Sequence, residues 1–339
     1  MKVLLQNRSN FSKSIAGDSI QLIKTKEYLG KLGVQIKVSS ETGIDLQAYD
    51  LVHLFNIMPV EETYQQFLNA RNQGKKFVLS TIYWDPIEFL AASGQNKTFG
   101  EWWKKTMPLR REVLQAAAMI LPNSKLEYEI LKKNFGELPP ALIIPNAADI
   151  MFAAAKPDHF FQKYRIKDFL LSVGRICQRK NQLMLIRAAR ELKLPLVLIG
   201  PINDGFYYRE CRRESAQHKV TFIDSLTPVE LVSAYAAARV HALISWYDTP
   251  GLASLEAASA GCRIVSTDRG SAREYFGNLA YYCDPGNMES ICNAIRNAWN
   301  SINDNRLKEI ILRDYTWEKA ALNTFQAYQT VIKSSIPFS

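Results

Sequence analysis

Two segments in the second half of the chain carry residue types that could bind a phosphorylated substrate. In the first of them, residues 172–181, Arg175 and Lys180 supply cations on either side of a predicted strand-to-helix turn that contains Gly174. Those two side chains are suited to neutralising a nucleotide diphosphate. Cations on a loop are more often simply solvated, so this segment alone is a weak signal.

The second segment, residues 247–258, strengthens that interpretation. Asp248 lies in a predicted turn, and Glu256 follows eight residues later in a helix expected to begin near Leu252. Unpaired amides at a helix start attract a phosphate without a metal, and the two oxygens of a carboxylate suit the two vicinal hydroxyls of a ribose. A merely solvated Glu256 is the less favoured alternative, because Leu255 and Ala257 beside it indicate a buried helix.

The elements that must position these residues alternate between strand and helix patterns. Ten short apolar runs are predicted strands: 3–5, 34–38, 51–55, 77–79, 119–121, 169–173, 196–199, 220–223, 240–244 and 263–265. A proline-marked stretch, 136–149, separates the two sets of five, and we place a hinge near 148–158. We therefore predict two doubly wound α/β domains, with a ligand held between them at the carboxyl ends of the strands.

Composition agrees with that size and class. A chain of 339 residues favours two domains, and 47% hydrophobic residues exclude a disordered chain. The net charge of +9 favours anionic partners such as nucleotides, nucleic acid or lipid headgroups. Five scattered cysteines without a CxxC pair indicate neither zinc nor a disulfide framework. With no signal-peptide or membrane-spanning pattern, a cytoplasmic protein is expected.

Shorter motifs surround the two segments in a fixed order: Val173-Gly174-Arg175, Lys180-Asn181, Gly200-Pro201, Glu230-Leu231, Ala236 with Ala238, Asp248 with Glu256, Gly261, Glu274 and Asp284-Pro285-Gly286. This set resembles the nucleotide-sugar half of the family 4 glycosyltransferases. The resemblance covers most of residues 145–330. Further matches to the family's first domain and hinge are Asp50-Leu51-Val52-His53, Leu121-Pro122-Asn123-Ser124 and Ile144-Pro145-Asn146.

The resemblance implies the GT-B fold, α/β with two Rossmann-like domains. Residues 1–148 would form the acceptor-side domain, joined by a returning helix at about 317–339, and residues 149–316 would bind the nucleotide sugar. Arg175 and Lys180 would neutralise the leaving diphosphate, and Asp248 would face the sugar hydroxyls as the third catalytic residue. The remaining implied contacts are Glu256 to the ribose, Gly174 and the amides of Leu252 and Ala253 to the nucleotide, and Thr249 and Gly251 to the donor sugar.

The chain departs from the family pattern at several positions. Asp248 stands where the family usually has glutamate, and Pro250 replaces an aromatic residue. The early paired-glycine loop is reduced to Ala16-Gly17-Asp18, where Gly17 could still offer an amide to phosphate before a helix starting near Ser19. Tyr83 or Asp85 would replace a histidine that many members use near the sugar.

Other patterns carry weaker signals. The histidines His53 and His241 lie in apolar strand runs, where a hydrogen-bonded core imidazole is the usual explanation, so no metal site is predicted. The aromatic and basic stretch 99–111 suits either an anionic membrane face or a helix covering the first core. Arg209 and Arg212 beside Phe206 allow the same two interpretations. No nucleic-acid-binding motif is visible, and the glycine turn of a dehydrogenase is missing.

The sequence therefore predicts a retaining, metal-independent glycosyltransferase. It would move a hexose from a UDP-sugar, or alternatively a GDP-sugar, to a saccharide or lipid-linked saccharide, and so serve polysaccharide synthesis. No cofactor is expected, and contact with the cytoplasmic membrane face stays open. Two alternatives stay open as well: a non-catalytic relative that binds nucleotide sugar, and a GT-B sugar epimerase. The sequence does not indicate an oligomeric state.

Overall fold

The structure, a computed structural model, describes residues 1–9, 11, 16–93, 97–302 and 304–334. Its contacts divide these residues into two compact units. The first unit lies within Met1–Pro86, Gly94–Asn146 and Trp317–Ser339, and the second within Ile87–Ser93 and Ala147–Thr316.

The first unit is built on a five-stranded, all-parallel sheet in the order β2-β1-β3-β4-β5. Its strands are β1 (Lys2–Gln6), β2 (Gln35–Ser39), β3 (Leu51–Phe55), β4 (Phe77–Ser80) and β5 (Met119–Ile120). The helices along this part of the chain are α1 (Gly17–Lys31), α2 (Val60–Asn72), α3 (Ile87–Ser93), α4 (Lys97–Ala116) and α5 (Lys125–Phe135). Of these, α3 groups with the second unit, and α1 begins at Gly17, two residues before the predicted start.

The central strands of this sheet are apolar because both faces are covered. Every residue of β3 and β4 is buried, as expected of a parallel sheet between helices. On one face, Val52 and Leu79 share a core with Phe67 of α2, Val113 of α4 and Leu131 of α5. Burial of each such side chain contributes about 1.5–3 kcal/mol.

The second unit has a six-stranded parallel sheet in the order β11-β10-β9-β6-β7-β8. Its strands are β6 (Leu170–Val173), β7 (Leu196–Ile199), β8 (Val220–Ile223), β9 (Val240–Leu243), β10 (Arg263–Thr267) and β11 (Tyr281–Cys283). Its longer helices are α6 (Asp158–Tyr164), α7 (Gln182–Glu191), α8 (Gly205–Glu214), α9 (Pro228–Ala237), α10 (Leu252–Ser259), α11 (Ala272–Phe276), α12 (Met288–Asn300) and α13 (Arg306–Asp314). Strand β11 was not predicted from the sequence, because its three residues are too few to show a strand pattern.

The second sheet also buries both of its faces. Leu171 and Ile264 pack with Leu255 of α10 on one face, while Leu198 and Ala242 pack with residues of α7, α8 and α12 on the other. The strand ends that precede α7 and α10 therefore lie on a rigid scaffold, which is where the two motif segments begin.

The last helix, α14 (Trp317–Lys333), belongs to the first unit and packs against α1. Its Tyr328 hydroxyl is hydrogen-bonded to Nδ1 of His53 at 2.6 Å. His53 Nε2 is hydrogen-bonded to Ser80 Oγ at 2.9 Å. The prediction of a hydrogen-bonded core imidazole is confirmed for His53, and burial lowers the pKa of this ring to about 3.

Candidate active site

The chain leaves β6 through a glycine turn that is held by a neighbouring loop. Gly174 has a φ of +152°, and Gly200, after β7, comes so close that a Cβ on it would lie 2.2 Å from the Gly174 carbonyl oxygen. Only glycine fits at this contact. After a single 3₁₀ turn at Gln178–Lys180, Asn181 adopts a left-handed conformation and donates to the carbonyls of Ile244 (3.2 Å) and Pro285 (2.9 Å). The segment that carries Arg175 and Lys180 is thereby fixed at the carboxyl edge of the sheet.

The segment after β9 is fixed in a similar way. Asp248 forms a backbone bridge with Gly270, which has a φ of +94° and would place a Cβ 2.2 Å from the Asp248 carbonyl oxygen. Gly251 has a φ of +91° and precedes α10, which begins at Leu252 as predicted. These two glycines let the chain bring Asp248 and the start of α10 together.

Lys180 and Asp248 form an ion pair at this edge. Lys180 Nζ donates to Asp248 Oδ1 at 2.9 Å and to Oδ2 at 2.8 Å, and the Ser245 hydroxyl donates to Oδ2 as well. Both charged side chains are about nine-tenths buried. Arg179 Nη1 lies 3.6 Å from Asp248 Oδ1 and donates to the Tyr247 carbonyl.

The pair is charged despite its burial. Burial raises the pKa of Asp248, but Lys180 and Arg179 outweigh that effect and hold it below its usual value. Burial lowers the pKa of Lys180, and Asp248 opposes the shift. The site therefore keeps an ionised acid next to two cations in a poorly hydrated setting, where electrostatic interactions are stronger than in water.

The start of α10 lies directly beside this pair. The Gly251 Cβ position is 3.7 Å from Asp248 Cγ, and Gly251, as the residue before the helix, has no side chain with which to cap it. Leu252 and Ala253 thus contribute backbone amides at the positive end of the helix dipole. The edge therefore combines one carboxylate with two cations, Lys180 and Arg179, and with a helix start whose amides favour an anion.

Glu256 lies about one turn into the same helix and is half-buried. The Tyr235 hydroxyl, from α9, donates to Glu256 Oε2 at 2.9 Å. Burial, followed by the nearby carboxylate, raises the pKa of Tyr235 well above its usual value, so the hydroxyl stays a donor. Glu256 therefore lies on α10 and has a hydrogen-bond partner, Tyr235, within the second unit.

The site residues predicted for the first unit have a different setting. Tyr83 is completely buried, stacks on Trp103, and its hydroxyl accepts from Asn134 Nδ2 at 2.9 Å. This corrects the expectation that Tyr83 contacts a donor sugar, because its ring fills the core and presents no surface to a ligand. Asp85 is half-buried and accepts from the same Asn134 amide.

Gly17 opens α1 as an exposed residue, but the first turn of that helix already contains an acid. Asp18 is buried and accepts from Arg8 Nε at 2.8 Å and from Asn56 Nδ2 at 3.1 Å. Burial raises the pKa of Asp18, but its hydrogen bonds and the charge of Arg8 lower it further than burial raises it. An ionised carboxylate there competes with any phosphate for the helix start, so the setting does not favour the phosphate role predicted for Gly17.

Three residues of the second-unit site were not predicted from the sequence: Arg179, Ser245 and Tyr235. Arg179 precedes Lys180 directly, and Ser245 ends the strand run, so proximity in sequence could have suggested both. Tyr235 lies between the matched motifs Glu230-Leu231 and Ala236 with Ala238, where an aromatic residue reads as ordinary helix core.

The remaining weak signals resolve in part. In α4, Trp103 is buried and Phe99 and Trp102 pack against the same core, while Lys104 and Lys105 are exposed. The aromatic residues thus cover the first core, as one of the two interpretations predicted. His241 is buried as predicted, but both of its ring nitrogens lack a hydrogen-bond partner within the part of the chain that the structure describes.

The described ranges contain neither a candidate metal site nor a helix that could cross a membrane. Outside residues 10, 12–15, 94–96, 303 and 335–339, no group of three or more His, Cys, Asp or Glu side chains is placed to hold a metal ion. Across those same described ranges, no helix combines the length and the apolar character that crossing a bilayer requires.

Comparison with known proteins relates part of the chain to a family. Residues 157–311 match the family model for glycosyl transferases group 1. The O-antigen chain mannosyltransferase B of Escherichia coli is 26% identical over 185 residues, which are 50% of this chain and 48% of that protein. The N-acetylgalactosamine-N,N'-diacetylbacillosaminyl-diphospho-undecaprenol 4-alpha-N-acetylgalactosaminyltransferase of Campylobacter jejuni is 32% identical over 174 residues, 48% of this chain and 45% of that protein. The chain spans about half the length of these curated relatives.

Solved structures extend the match in fold to almost the whole chain. Sucrose-phosphate synthase from Thermosynechococcus elongatus superposes with a TM-score of 0.82 at 17% identity, covering 98% of this chain and 100% of that one. Anabaena HepE in complex with UDP gives a TM-score of 0.74 at 15% identity, covering 97% and 100%. The predicted fold and the stated resemblance are both confirmed: the chain has the GT-B fold, and its residues 157–311 match the family model for glycosyl transferases group 1.

Proposed function

We propose that this protein is a retaining glycosyltransferase that moves a hexose from a nucleoside-diphosphate sugar to a saccharide or lipid-linked saccharide acceptor. The observation that carries the proposal is the meeting of Lys180, Asp248 and the uncapped start of α10 at one sheet edge. A diphosphate bound there would receive a lysine cation and two backbone amides, and it would need no metal ion.

The same arrangement suits the bond-breaking step. As the bond between the anomeric carbon and the diphosphate oxygen breaks, negative charge grows on the leaving diphosphate. Lys180, Arg175 and the positive end of α10 stabilise that charge in a site with little water. The acceptor hydroxyl attacks from the face that the diphosphate leaves, passing its proton to a diphosphate oxygen, which keeps the anomeric configuration.

Asp248 can serve the donor sugar without releasing Lys180. Each carboxylate oxygen accepts about two hydrogen bonds. Oδ2 accepts from Lys180 and Ser245, whereas the hydrogen bond observed to Oδ1 comes from Lys180. One acceptor position on Oδ1 therefore suits a sugar hydroxyl, and Thr249 and Gly251 follow Asp248 in the same turn.

The names of the relatives support a uridine nucleotide and a polysaccharide setting. One solved relative is a complex with UDP, one curated relative is named for O-antigen chains, and another for a diphospho-undecaprenol acceptor. We therefore propose UDP ahead of GDP as the leaving nucleotide and surface polysaccharide assembly as the setting. Contact with a membrane face, through exposed lysines such as Lys104 and Lys105, is part of this proposal.

A donor panel tests the proposal. The purified chain is incubated with radiolabelled UDP- and GDP-sugars, with and without saccharide and lipid-linked acceptors, and nucleotide release and product are followed. Acceptor-dependent release of UDP, with an unchanged anomeric configuration by NMR, is expected. Tight UDP binding without turnover of any donor would instead indicate a non-catalytic binding protein, and an isomerised donor sugar would indicate an epimerase.

A further inference from the structure

Tyr235 occupies a position that the proposed reaction does not yet use. It is completely buried in the second unit, and its hydroxyl donates to the carboxylate that we assign to the ribose. We propose that Tyr235 is a positioning residue that holds Glu256 in the orientation required to recognise the ribose hydroxyls. This inference rests on the proposed ribose role of Glu256.

Tyr235 is itself held from several sides. Its ring meets Phe152 edge-on, with centroids 5.6 Å apart, and His241 edge-on at 5.8 Å. The Cys262 thiol donates to its carbonyl at 2.9 Å. The phenol therefore has one packed position, from which its hydroxyl reaches Glu256.

The helix that carries Tyr235 is also well anchored. The start of α9 has a capping box between Thr227 and Glu230, with Pro228 as its first residue. These features fix where the helix begins. Tyr235 therefore lies on a helix, α9, whose start is fixed without a ligand.

A fixed hydrogen-bond donor matters because glutamate is flexible. A Glu256 side chain on the helix surface would sample several rotamers and would lose that freedom on binding a nucleotide. The bond from Tyr235 to Oε2 removes part of that cost in advance. Because a carboxylate accepts about four hydrogen bonds, Glu256 can keep Tyr235 and accept both ribose hydroxyls.

The preference for ribose over deoxyribose tests the inference. Calorimetry measures the Kd of UDP and of 2′-deoxy-UDP for the wild type, Tyr235→Phe and Glu256→Gln. We expect the wild type to prefer UDP. Tyr235→Phe should weaken UDP binding by about fivefold with little change for 2′-deoxy-UDP, on the scale of one lost hydrogen bond. It should also raise the donor KM while leaving kcat unchanged.

Tyr328→Phe is the matched control. It removes a buried tyrosine hydroxyl that is hydrogen-bonded to His53 in the first unit, so it carries the same chemical change away from Glu256. We expect its ratio of UDP to 2′-deoxy-UDP affinity to equal that of the wild type. A ratio that falls equally in both tyrosine variants would overturn the positioning role.

Two outcomes separate this inference from the proposed function. If Glu256→Gln removes the preference for ribose but Tyr235→Phe keeps it, the positioning role of Tyr235 is wrong, and the ribose role of Glu256 is retained. If Glu256→Gln keeps the preference, the ribose assignment fails and the inference fails with it. If Tyr235→Phe does not fold, Glu256→Asp is measured in its place. Shortening the acid moves the carboxylate away from the tyrosine hydroxyl, so the preference for UDP over 2′-deoxy-UDP should fall. An unchanged preference would contradict the inference.

Discussion

The two sheets share an architecture but end in edges of different chemistry. At the edge of the first sheet, buried acids are already satisfied by neutral or cationic protein groups. Asp18 is paired with Arg8, and Glu127 accepts from the Thr81 hydroxyl and from the amide of Asn123. At the edge of the second sheet, residues 175–180 contain three cations, two of which lie within 3.6 Å of Asp248.

This difference shows that the fold alone does not assign the nucleotide to a unit. Both sheets present a helix start after a parallel strand. In the first unit the first turn of α1 contains the carboxylate of Asp18, which is paired with Arg8, whereas in the second unit the α10 start follows a glycine and lies beside the Lys180–Asp248 pair. From the chemistry at the strand ends we propose the second unit, rather than the first, as the diphosphate site.

Removing the lysine at that edge should have the largest effect. We expect Lys180→Ala to lower kcat/KM for the donor by about 100-fold, the scale for losing one stabilising group at a site of developing charge. The variant also leaves Asp248 without its closest cation, which should reduce the free energy of unfolding by about 3 kcal/mol. Steady-state kinetics below the melting temperature check the first effect, and urea unfolding checks the second.

Lys31→Ala is the control for that substitution. Lys31 also pairs with an acid, Glu27, at 3.0 Å, but on the exposed surface of the first unit. Its removal should change donor kcat/KM by less than about twofold. Equal losses of donor kcat/KM in the two lysine variants would mean that Lys180 has no special role in the reaction.

Substituting glycine by alanine should lower the free energy of unfolding more at the site than in an ordinary turn. Gly270→Ala should reduce the free energy of unfolding by about 3 kcal/mol, because its Cβ would collide with the Asp248 carbonyl. Gly33→Ala, at a φ of +81° in open space within the first unit, should cost about 1 kcal/mol. Chemical denaturation measures both, and a larger loss for Gly33 would refute the close approach at Gly270.

Substitutions of the buried histidines His53 and His241 should change the free energy of unfolding by different amounts. His53→Leu leaves Tyr328 and Ser80 without their buried partner, which should cost about 2 kcal/mol. His241→Leu removes two ring nitrogens that lack partners among the described residues, so stability should stay within about 1 kcal/mol of the wild type. Urea midpoints compare the pair, and equal losses would show that His241 has a partner after all.

The same two histidines should also make stability depend on pH. Burial lowers the pKa of both His53 and His241 to about 3, whereas an unfolded histidine titrates near 6.5. Between these values the unfolded state binds the proton and the folded state does not, so acidification destabilises the fold. Each histidine should contribute up to about 1.4 kcal/mol per pH unit below 6.5. His241→Leu should flatten the pH 5–7 stability profile, and an unchanged slope would contradict a neutral buried ring.

The fold was largely predictable because its strands are apolar on both faces. Runs such as Leu51–Phe55 and Leu196–Ile199 show this without any knowledge of contacts. The turn residues predicted a hinge near 148–158, whereas the contacts divide the chain at Ala147. The short strand Tyr281–Cys283 was not predictable, since three residues give no period. Its place at the sheet edge depends on pairing with β10.

The site was predictable only where the chemistry is local in sequence. The start of α10 at Leu252 followed from the pattern around Gly251. In contrast, the Lys180–Asp248 pair joins residues 68 apart, and Tyr235 reaches Glu256 from another helix. Tyr83 was assigned to the donor sugar because it stands near the position of a histidine in the family pattern, whereas its ring packs against Trp103.

Hydrogen exchange with and without UDP tests the central claim most directly, namely that the edge of the second sheet binds the nucleotide diphosphate. Saturating UDP should slow amide exchange in two parts of the second unit, residues 174–182 and 251–256, and leave peptides around Gly17 and Tyr83 unchanged. If UDP binds but protects only first-unit peptides, or leaves both second-unit segments unprotected, the assignment of the nucleotide to this edge is wrong.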